Sequence, residues 1–391
     1  MPEINSSSKV VVIGVGTGGC RIAAELAASS SASRLQICLV DTDEKALECY
    51  PEFNTLVIGS DWTDRQGCGG DLNRGEKAAG ASTNELSDLI SGAEMLIIIS
   101  PLGGGTGSGA TPIIASLARR LKVLTLCFVT RPFSFEGNLR FKNSEKSMNK
   151  LLKSADAVIC IENDVLFKNL SGNFNSDFQS ADRTLAECVA GVSEMIFTEG
   201  LIKIDFVHVK QLLRQKDADC HIGIGQAYGD DRIVAAINDL LTSPTLGGSE
   251  TLRESNSAIV TLMSGQDLSM EEINDCISKI KDLFSEKTEL NIGVSTSGTR
   301  QNYLQLTALT IKNRNRPVKD LEDTDSQPIK PPRKLLRKKE VETVYNIQGE
   351  LPLQELTSGV FENLSPTLYH GQNLDIPTYL RQGIALDTGD N

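Results

Sequence analysis

The most chemically specific stretch of this chain is Pro101-Leu-Gly-Gly-Gly-Thr-Gly-Ser-Gly-Ala-Thr-Pro112. Its glycines at 103, 104, 105, 107 and 109 alternate with Thr106 and Ser108, so successive backbone N–H groups can converge on one point with no Cβ in the way. An apolar run, Met95–Ser100, leads into the loop, and a helical pattern, Ile113–Leu121, leaves it. The unpaired amides and positive dipole end of such a helix attract an anion, phosphate above all. No Gly-Lys-Ser/Thr ending is present, so this is not a P-loop, and neutral amides must do most of the holding.

A second glycine-rich turn, Gly14-Val-Gly-Thr-Gly-Gly19, follows the apolar run Val10–Ile13 and enters a helical pattern over Cys20–Ala28. The next apolar run, Leu35–Val40, ends on Asp41. Taken alone, a Gly-x-Gly-x-x-Gly with an acidic residue about twenty positions on reads as dinucleotide binding, and an NAD-dependent oxidoreductase is the alternative it raises. That reading has no role for Gly103–Gly109 and offers no acid–base pair. Two such loops after two strands of one parallel sheet would lie side by side at its carboxyl edge, where open α/β sheets bind ligands. Between them, Gly67-Cys-Gly-Gly-Asp71 supplies a third flexible segment before a helix expected over Glu76–Ile90.

These loops must be positioned by a doubly wound α/β sheet. Strand patterns at Val123–Thr130 and Ala157–Glu162 flank a charged helical stretch, Asn138–Ser154, in the alternation of right-handed crossovers. A long helix is expected over Ser176–Glu199 from Ala181, Leu185, Cys188, Val192 and Ile196. Mixed strands and helices between Cys220 and Ile311 read as a smaller α+β domain. The expected organisation is residues 1–175, a core helix and loop over 176–219, the second domain over 220–311, a disordered linker over 312–373 and a terminal peptide over 374–391.

Composition agrees with a globular protein of two or three domains: 391 residues, 40% hydrophobic. A net charge of −12 argues against sequence-independent nucleic-acid binding by the whole chain. The basic segment Lys330–Lys339 reads as a solvated patch, with an anionic partner as the minority reading. Nine cysteines without Cys-x-x-Cys spacing suggest buried thiols in a reducing compartment. No apolar run reaches the roughly 18 residues of a spanning helix, so the expected location is cytoplasmic, without membrane insertion.

In order along the chain, Gly103–Gly109, Pro132-Phe-Ser-Phe-Glu-Gly137, Asn163-Asp164, Ala181-Asp182 after Phe178, Gly200-Leu-Ile202 and Asp375-Ile-Pro-Thr-Tyr-Leu-Arg381 resemble elements of FtsZ, the bacterial relative of tubulin. The resemblance implies a GTPase that polymerises head-to-tail at the division site, with Mg2+ bound through the phosphates and no dedicated metal ligands. It implies that Gly16, Gly18 and Gly19 support the α- and β-phosphates and that Gly103, Gly104, Gly105, Thr106, Gly107 and Ser108 cradle the β- and γ-phosphates. Glu136 would hold the ribose, Arg140 the terminal phosphate, Asp182 the guanine N1 and N2 donors, and Phe178 the purine face. Gly69, Gly70 and Asn163, with Cys20, Arg21 and Asp41 in the base and ribose region, complete the implied nucleotide set. The peptide Leu374–Arg381 would bind membrane tethers such as FtsA or ZipA.

This sequence departs from the FtsZ pattern at three places. Cys20-Arg21 stands where Gly-Asn is usual, and Asp41-Thr-Asp43 where Asn-Thr-Asp is usual. The loop that normally reads Asn-x-Asp-x-x-Asp, and reaches the neighbouring subunit's nucleotide to orient water, here supplies Lys203, Asp205 and His208. Attenuated hydrolysis follows as an expectation, with a non-hydrolysing paralogue that co-polymerises with an intact FtsZ as the alternative.

Overall fold

The computed structural model describes residues 9–167, 174–197, 200–214, 218–296, 300–313, 368–369 and 372–373. Residues 9–313 belong to one compact unit and the short hairpin near the end to another. The first unit starts with strand β1 (Val10–Val15), helix α1 (Gly16–Ala27), β2 (Leu35–Asp41), α2 (Glu44–Glu48), β3 (Asn54–Val57) and α3 (Ser60–Thr63). It continues through α4 (Leu72–Ala81), α5 (Thr83–Ile90), β4 (Met95–Pro101), α6 (Gly105–Arg120), β5 (Leu124–Arg131), α7 (Asn138–Ser154) and β6 (Ala157–Glu162). Then come α8 (Asn163–Phe167), α9 (Phe174–Phe197), α10 (Phe206–Leu213), β7 (Ala218–Tyr228), α11 (Arg232–Thr242) and α12 (Ser249–Arg253). It closes with β8 (Ser257–Ser264), α13 (Met270–Lys281), β9 (Glu289–Ser295) and β10 (Tyr303–Asn313). In the other unit, β11 (Leu368–Tyr369) pairs antiparallel with β12 (Gln372–Asn373).

The strands of the first unit form one sheet in the order β3-β2-β1-β4-β5-β6-β7-β10-β8-β9. The six on the amino-terminal side are parallel, and the inner strands β1 and β4 are near-continuous apolar runs buried on both faces. The chain first builds outward from β1 through β2 to β3, then returns to lay β4 on the other side of β1. That reversal between β1 and β4 is the topological switch point, and both glycine-rich loops emerge from it.

The carboxyl-terminal strands join the same sheet through a single registered pair, Ile159 with Cys220. β10 is antiparallel to both β7 and β8. One core cluster runs from Val10, Ile97 and Phe128 through Leu185, Val189 and Val192 of α9 to Ile222, Ile259 and Leu309. The long helix is therefore a shared wall between the two strand sets, as its apolar spacing predicts.

Three sequence expectations are corrected. The expected helix Glu76–Ile90 is two helices, divided at Ser82, whose hydroxyl accepts from the Gly59 amide and whose backbone leaves the helical conformation. Helix α6 starts at Gly105 rather than Ile113, so most of the glycine run is helical despite its low propensity. Strand β10 runs to Asn313, two residues into the expected linker, because Lys312 pairs with Glu254 and the Asn313 amide donates to Asn256 Oδ1 at 2.8 Å.

Close helix crossing explains the second correction. A Cβ on Gly109 would stand 2.3 Å from Leu72 O and 2.6 Å from Glu76 N, and one on Gly75 would stand 2.3 Å from Gly105 O. Tertiary contact between α4 and α6 overrides the weak propensity. Gly109→Ala is expected to destabilise the fold by about 1–3 kcal/mol through overpacking against rigid backbone. Gly80→Ala, on the same α4 but with nothing within 4 Å of the added methyl, should leave the thermal midpoint unchanged or raise it. Thermal unfolding of the two variants side by side checks the crossing.

Candidate functional site

At the carboxyl edge of the parallel strands, the loops after β1, β2, β4, β5 and β6 enclose a cavity of about 630 Å³ with the amino-terminal half of α9. Two helix N-termini meet at its floor. Gly16 opens α1 at φ 73°, and a Cβ placed on it would stand 3.3 Å from the Gly107 amide of α6. Gly103, at φ 114°, donates its amide to Ser108 Oγ at 2.7 Å, which folds the loop back on its own helix. Each helix start carries a partial positive charge of about half an electron unit and unpaired amides, so their meeting point favours a polyanion.

Hydroxyls and one carboxylate support that floor. Thr42 and Thr106 share a hydrogen bond of 2.7 Å between their Oγ1 atoms. Asp41, 2% exposed, accepts from Thr17 Oγ1 at 3.0 Å and from the Thr42 amide at 2.7 Å. Burial pushes its carboxyl above the ordinary 3.8, and these donors pull the other way. The Gly69–Gly70 segment forms one wall, tied down by Asn143, whose Nδ2 donates to Gly70 O at 3.0 Å and Gly103 O at 3.3 Å.

The outer wall comes from the Pro132–Gly137 segment. Glu136 accepts from the Phe133 amide at 2.8 Å and pairs with Arg140, four residues on in α7. The Phe133 ring packs edge-on to Phe167 at 4.8 Å and to Phe178 at 5.7 Å, giving the cavity an apolar end. Beside that end, Asp182 of α9 faces Arg21 of α1. Arg21 Nη2 donates to Asp182 Oδ1 at 3.2 Å, and Arg21 Nε donates to Oδ2. The hydrogen bond to Asp182 raises the guanidinium's pKa; burial of Asp182 pushes its own carboxyl up against the pull of Arg21.

Of the nucleotide-site residues expected from sequence, the cavity is lined by Gly16, Gly18, Arg21, Asp41, Gly69, Gly70, Gly104, Gly105, Thr106, Gly107, Glu136, Arg140, Asn163, Phe178 and Asp182. Gly19, Cys20, Gly103 and Ser108 lie outside the lining. A Cβ on Gly19 would meet Ile99 O at 2.4 Å, so this position serves the approach of α1 to β4. The Cys20 thiol points into the sheet, within 3.5 Å of Gly14 O, and burial pushes its pKa up to about 12. Thr17, Thr42, Asn143 and Phe133 also shape the site; Thr17 lies inside the first glycine loop, Thr42 within Asp41-Thr-Asp43 and Phe133 within Pro132–Gly137, whereas Asn143 carries no sequence signal.

Lys203, Asp205 and His208 are not in the cavity. Asp205 caps α10 by accepting from the Val207 amide at 2.9 Å, and Lys203 and His208 are exposed. Arg214, just beyond α10, lies 3.7 Å from Asp156 at the amino-terminal start of β6. The cavity stands at the other end of that strand, and α9 spans 24 residues, about 35 Å, between the two regions. One chain cannot bring the two sets together.

Residues 9–171 match the Tubulin/FtsZ family, GTPase domain, and residues 219–311 match the FtsZ family, C-terminal domain. A cell division protein FtsZ from Buchnera aphidicola subsp. Baizongia pistaciae (strain Bp) is 32% identical over 307 residues, 78% of this chain and 79% of that protein. The chain belongs to the tubulin/FtsZ family. Cell division protein FtsZ 2 from Rhizobium meliloti (strain 1021) is 31% identical over 287 residues, 73% of this chain and 82% of the relative. Among solved structures, an FtsZ dimer from M. jannaschii superposes with a TM-score of 0.71 at 25% identity, covering 82% of this chain and 96% of that one.

Within this FtsZ-family cavity, Asp41 introduces a charge where the FtsZ pattern carries an amide. Because its folded pKa is raised, the folded chain keeps a proton that the unfolded chain releases, so stability falls as pH rises from 3.8 through the folded value. Asn at this position can keep the acceptor for Thr42 and donate to Thr17. Asp41→Asn is therefore expected to raise the thermal midpoint at pH 7, with the gain shrinking as the pH is lowered toward 3.8. A calorimetric series across that range checks both sign and trend.

Proposed function

We propose that this protein binds GTP and GDP in the cavity, polymerises head-to-tail in the cytoplasm at the bacterial division site, and hydrolyses GTP only where the next subunit completes the site. The observation that carries this reading is the pairing, in one cavity, of two converging helix N-termini with a buried carboxylate at the far, apolar end. The first suits a triphosphate; the second suits the N1–H and N2–H edge of guanine. Gly16 and Gly18 would hold the α- and β-phosphates and Gly104–Gly107 the β- and γ-phosphates. Arg140 would meet the terminal phosphate, Glu136 the ribose and Phe178 the purine face. Among the described residues no group of three His, Cys, Asp or Glu could hold a metal ion. Mg2+ in this reading enters on the phosphates.

Hydrolysis requires a water to attack the γ-phosphorus while the bond to the β-γ bridging oxygen breaks. The loop at the opposite edge is where a stacked subunit would supply the groups that orient that water. Lys203 and His208 stand where the FtsZ pattern has side chains that accept from water, and Asp205 already spends one oxygen on its helix cap. A cationic Lys203 stabilises bound triphosphate without positioning the nucleophile. This favours slow hydrolysis in homopolymers and supports the second reading, a paralogue that co-polymerises with an FtsZ carrying an intact loop. Docking of FtsA- or ZipA-like tethers to Leu374–Arg381 belongs to the same proposal. That peptide and the basic segment Lys330–Lys339 lie outside the described residues.

Nucleotide titration tests the base assignment. GTP should bind more tightly than ATP, and Asp182→Ala should remove the preference at a cost of about 1–3 kcal/mol for guanine; equal binding of both by the unaltered protein overturns it. Steady-state phosphate release tests the loop. The double variant Lys203→Asn, His208→Asp should turn over faster than the natural chain, and equal rates would dismiss attenuation.

A further inference from the structure

Asp182 is the carboxylate best placed to read guanine, yet both of its oxygens are engaged by Arg21. The guanidinium reaches it from α1, 161 residues earlier in the chain, with its Cζ 5.7 Å from the centre of the Phe178 ring. The Nε–H and Nη2–H groups present a planar two-donor fork to the carboxylate. The N1–H and N2–H groups of guanine present the same fork. Two oxygens in one plane satisfy one such partner fully, so guanidinium and guanine compete for the same acceptors.

We propose that Arg21 is a latch on the base-recognition carboxylate: guanine reaches Asp182 only by displacing the guanidinium, and Arg21 thereby sets how tightly guanine nucleotides are held. This rests on the guanine-nucleotide reading above. The asymmetry of burial gives the latch its direction of movement. The Asp182 side chain is 9% exposed and Arg21 is 49% exposed, so the carboxylate stays while the guanidinium swings toward water. Glu25, exposed and four residues further along α1, lies where the displaced guanidinium can pair with it. Each nucleotide that binds exchanges one bidentate pair for another, and the net gain from Asp182 is reduced by the pair that is lost. A base without two adjacent donors, such as adenine, cannot make the exchange, so the latch lowers guanine affinity but shields Asp182 from other ligands.

The test is titration of the full chain with GDP, GTP and ATP, comparing the natural protein with Arg21→Ala and Arg21→Lys. Arg21→Ala should bind both guanine nucleotides roughly fivefold more tightly, the scale of a half-exposed ion pair no longer competing, with ATP affinity unmoved. Arg21→Lys, which keeps the charge but not the fork, should fall between. The thermal shift produced by saturating GDP should also be larger in Arg21→Ala than in the natural chain, because Asp182 then has no partner until the base arrives. Weaker or unchanged guanine binding in Arg21→Ala overturns the latch, as does a parallel change in ATP binding, which would mark a general disturbance of the loop. Absence of guanine-nucleotide binding by the natural chain would overturn the underlying reading and the latch with it, a result distinct from binding that ignores Arg21.

Discussion

The site depends on backbone-to-backbone contact between two glycine-rich helix starts at the point where the sheet reverses direction. A Cβ on Gly16 would lie 3.3 Å from the Gly107 nitrogen, while one on Gly107 would lie 2.6 Å from Pro101 O and one on Gly19 2.4 Å from Ile99 O, so the two starts meet while both press on the backbone of β4. That contact sets two positive helix ends against each other, an arrangement that favours negative charge between them. Asp41 and Thr42 tie the two starts together: Asp41 accepts from Thr17 near the start of α1 and from the Thr42 amide, and the Thr42 hydroxyl reaches Thr106 on α6.

The parts of the site that were legible in the sequence are those written locally. Glycine runs after apolar strands announce helix starts that can hold an anion, and the spacing of α9 announces a helix buried along its length. Closure was not legible. Arg21 and Asp182 meet only because α1 packs on α9, and Asn143 reaches Gly70 and Gly103 only because α7 lies against both loops. The resemblance marks Asp182 through Ala181-Asp182 after Phe178, and Arg21 as a departure from it, but nothing local pairs the two, and Asn143 has no local signal. The start of α6 is hidden for the opposite reason: Gly105, Gly107 and Gly109 look like loop, but their missing side chains serve close packing within a helix.

The long helix α9 turns one sheet into a two-ended device. Its first turns bring Phe178 and Asp182 to the cavity, its middle holds Leu185, Val189 and Val192 in the core shared by both strand sets, and its end hands the chain to the loop before α10. Because that core is continuous from β1 to β10, the separation of the two ends is set by packing rather than by a linker. Ile202 pairs with Val294 and Ile204 is buried beside it, so the loop bearing Lys203 and Asp205 is anchored to β9 instead of hanging free. A rigid distance between a nucleotide-shaped cavity and an exposed loop is the geometry a repeating stack requires, since each copy must present both ends at the same spacing.

Cys20 apart, which adds a buried thiol to the core, the departures from the FtsZ pattern alter charge and leave packing alone. Arg21 is half exposed on α1, with Ile22 and Ala23 after it buried in the core; Asp41 keeps the hydrogen bonds that an amide could make; Lys203 and His208 are exposed beside the buried Ile204 and Val209. Changing a neutral group to a charged one at a partly buried position moves local energies by far more than it moves atoms. Substitution of this kind can retune how a site holds its ligand while the sheet, the glycine contacts and the spacing along α9 stay as they are. The two ends are also separate in the fold, because Arg21 and Asp41 line the cavity, and Lys203 and His208 lie on the exposed loop before and within α10, where the proposal puts the next subunit. On the proposed roles, a charge change at the cavity bears on how nucleotide is held and one at the loop bears on turnover, so the two can be altered separately while the packing that joins them through α9 stays the same.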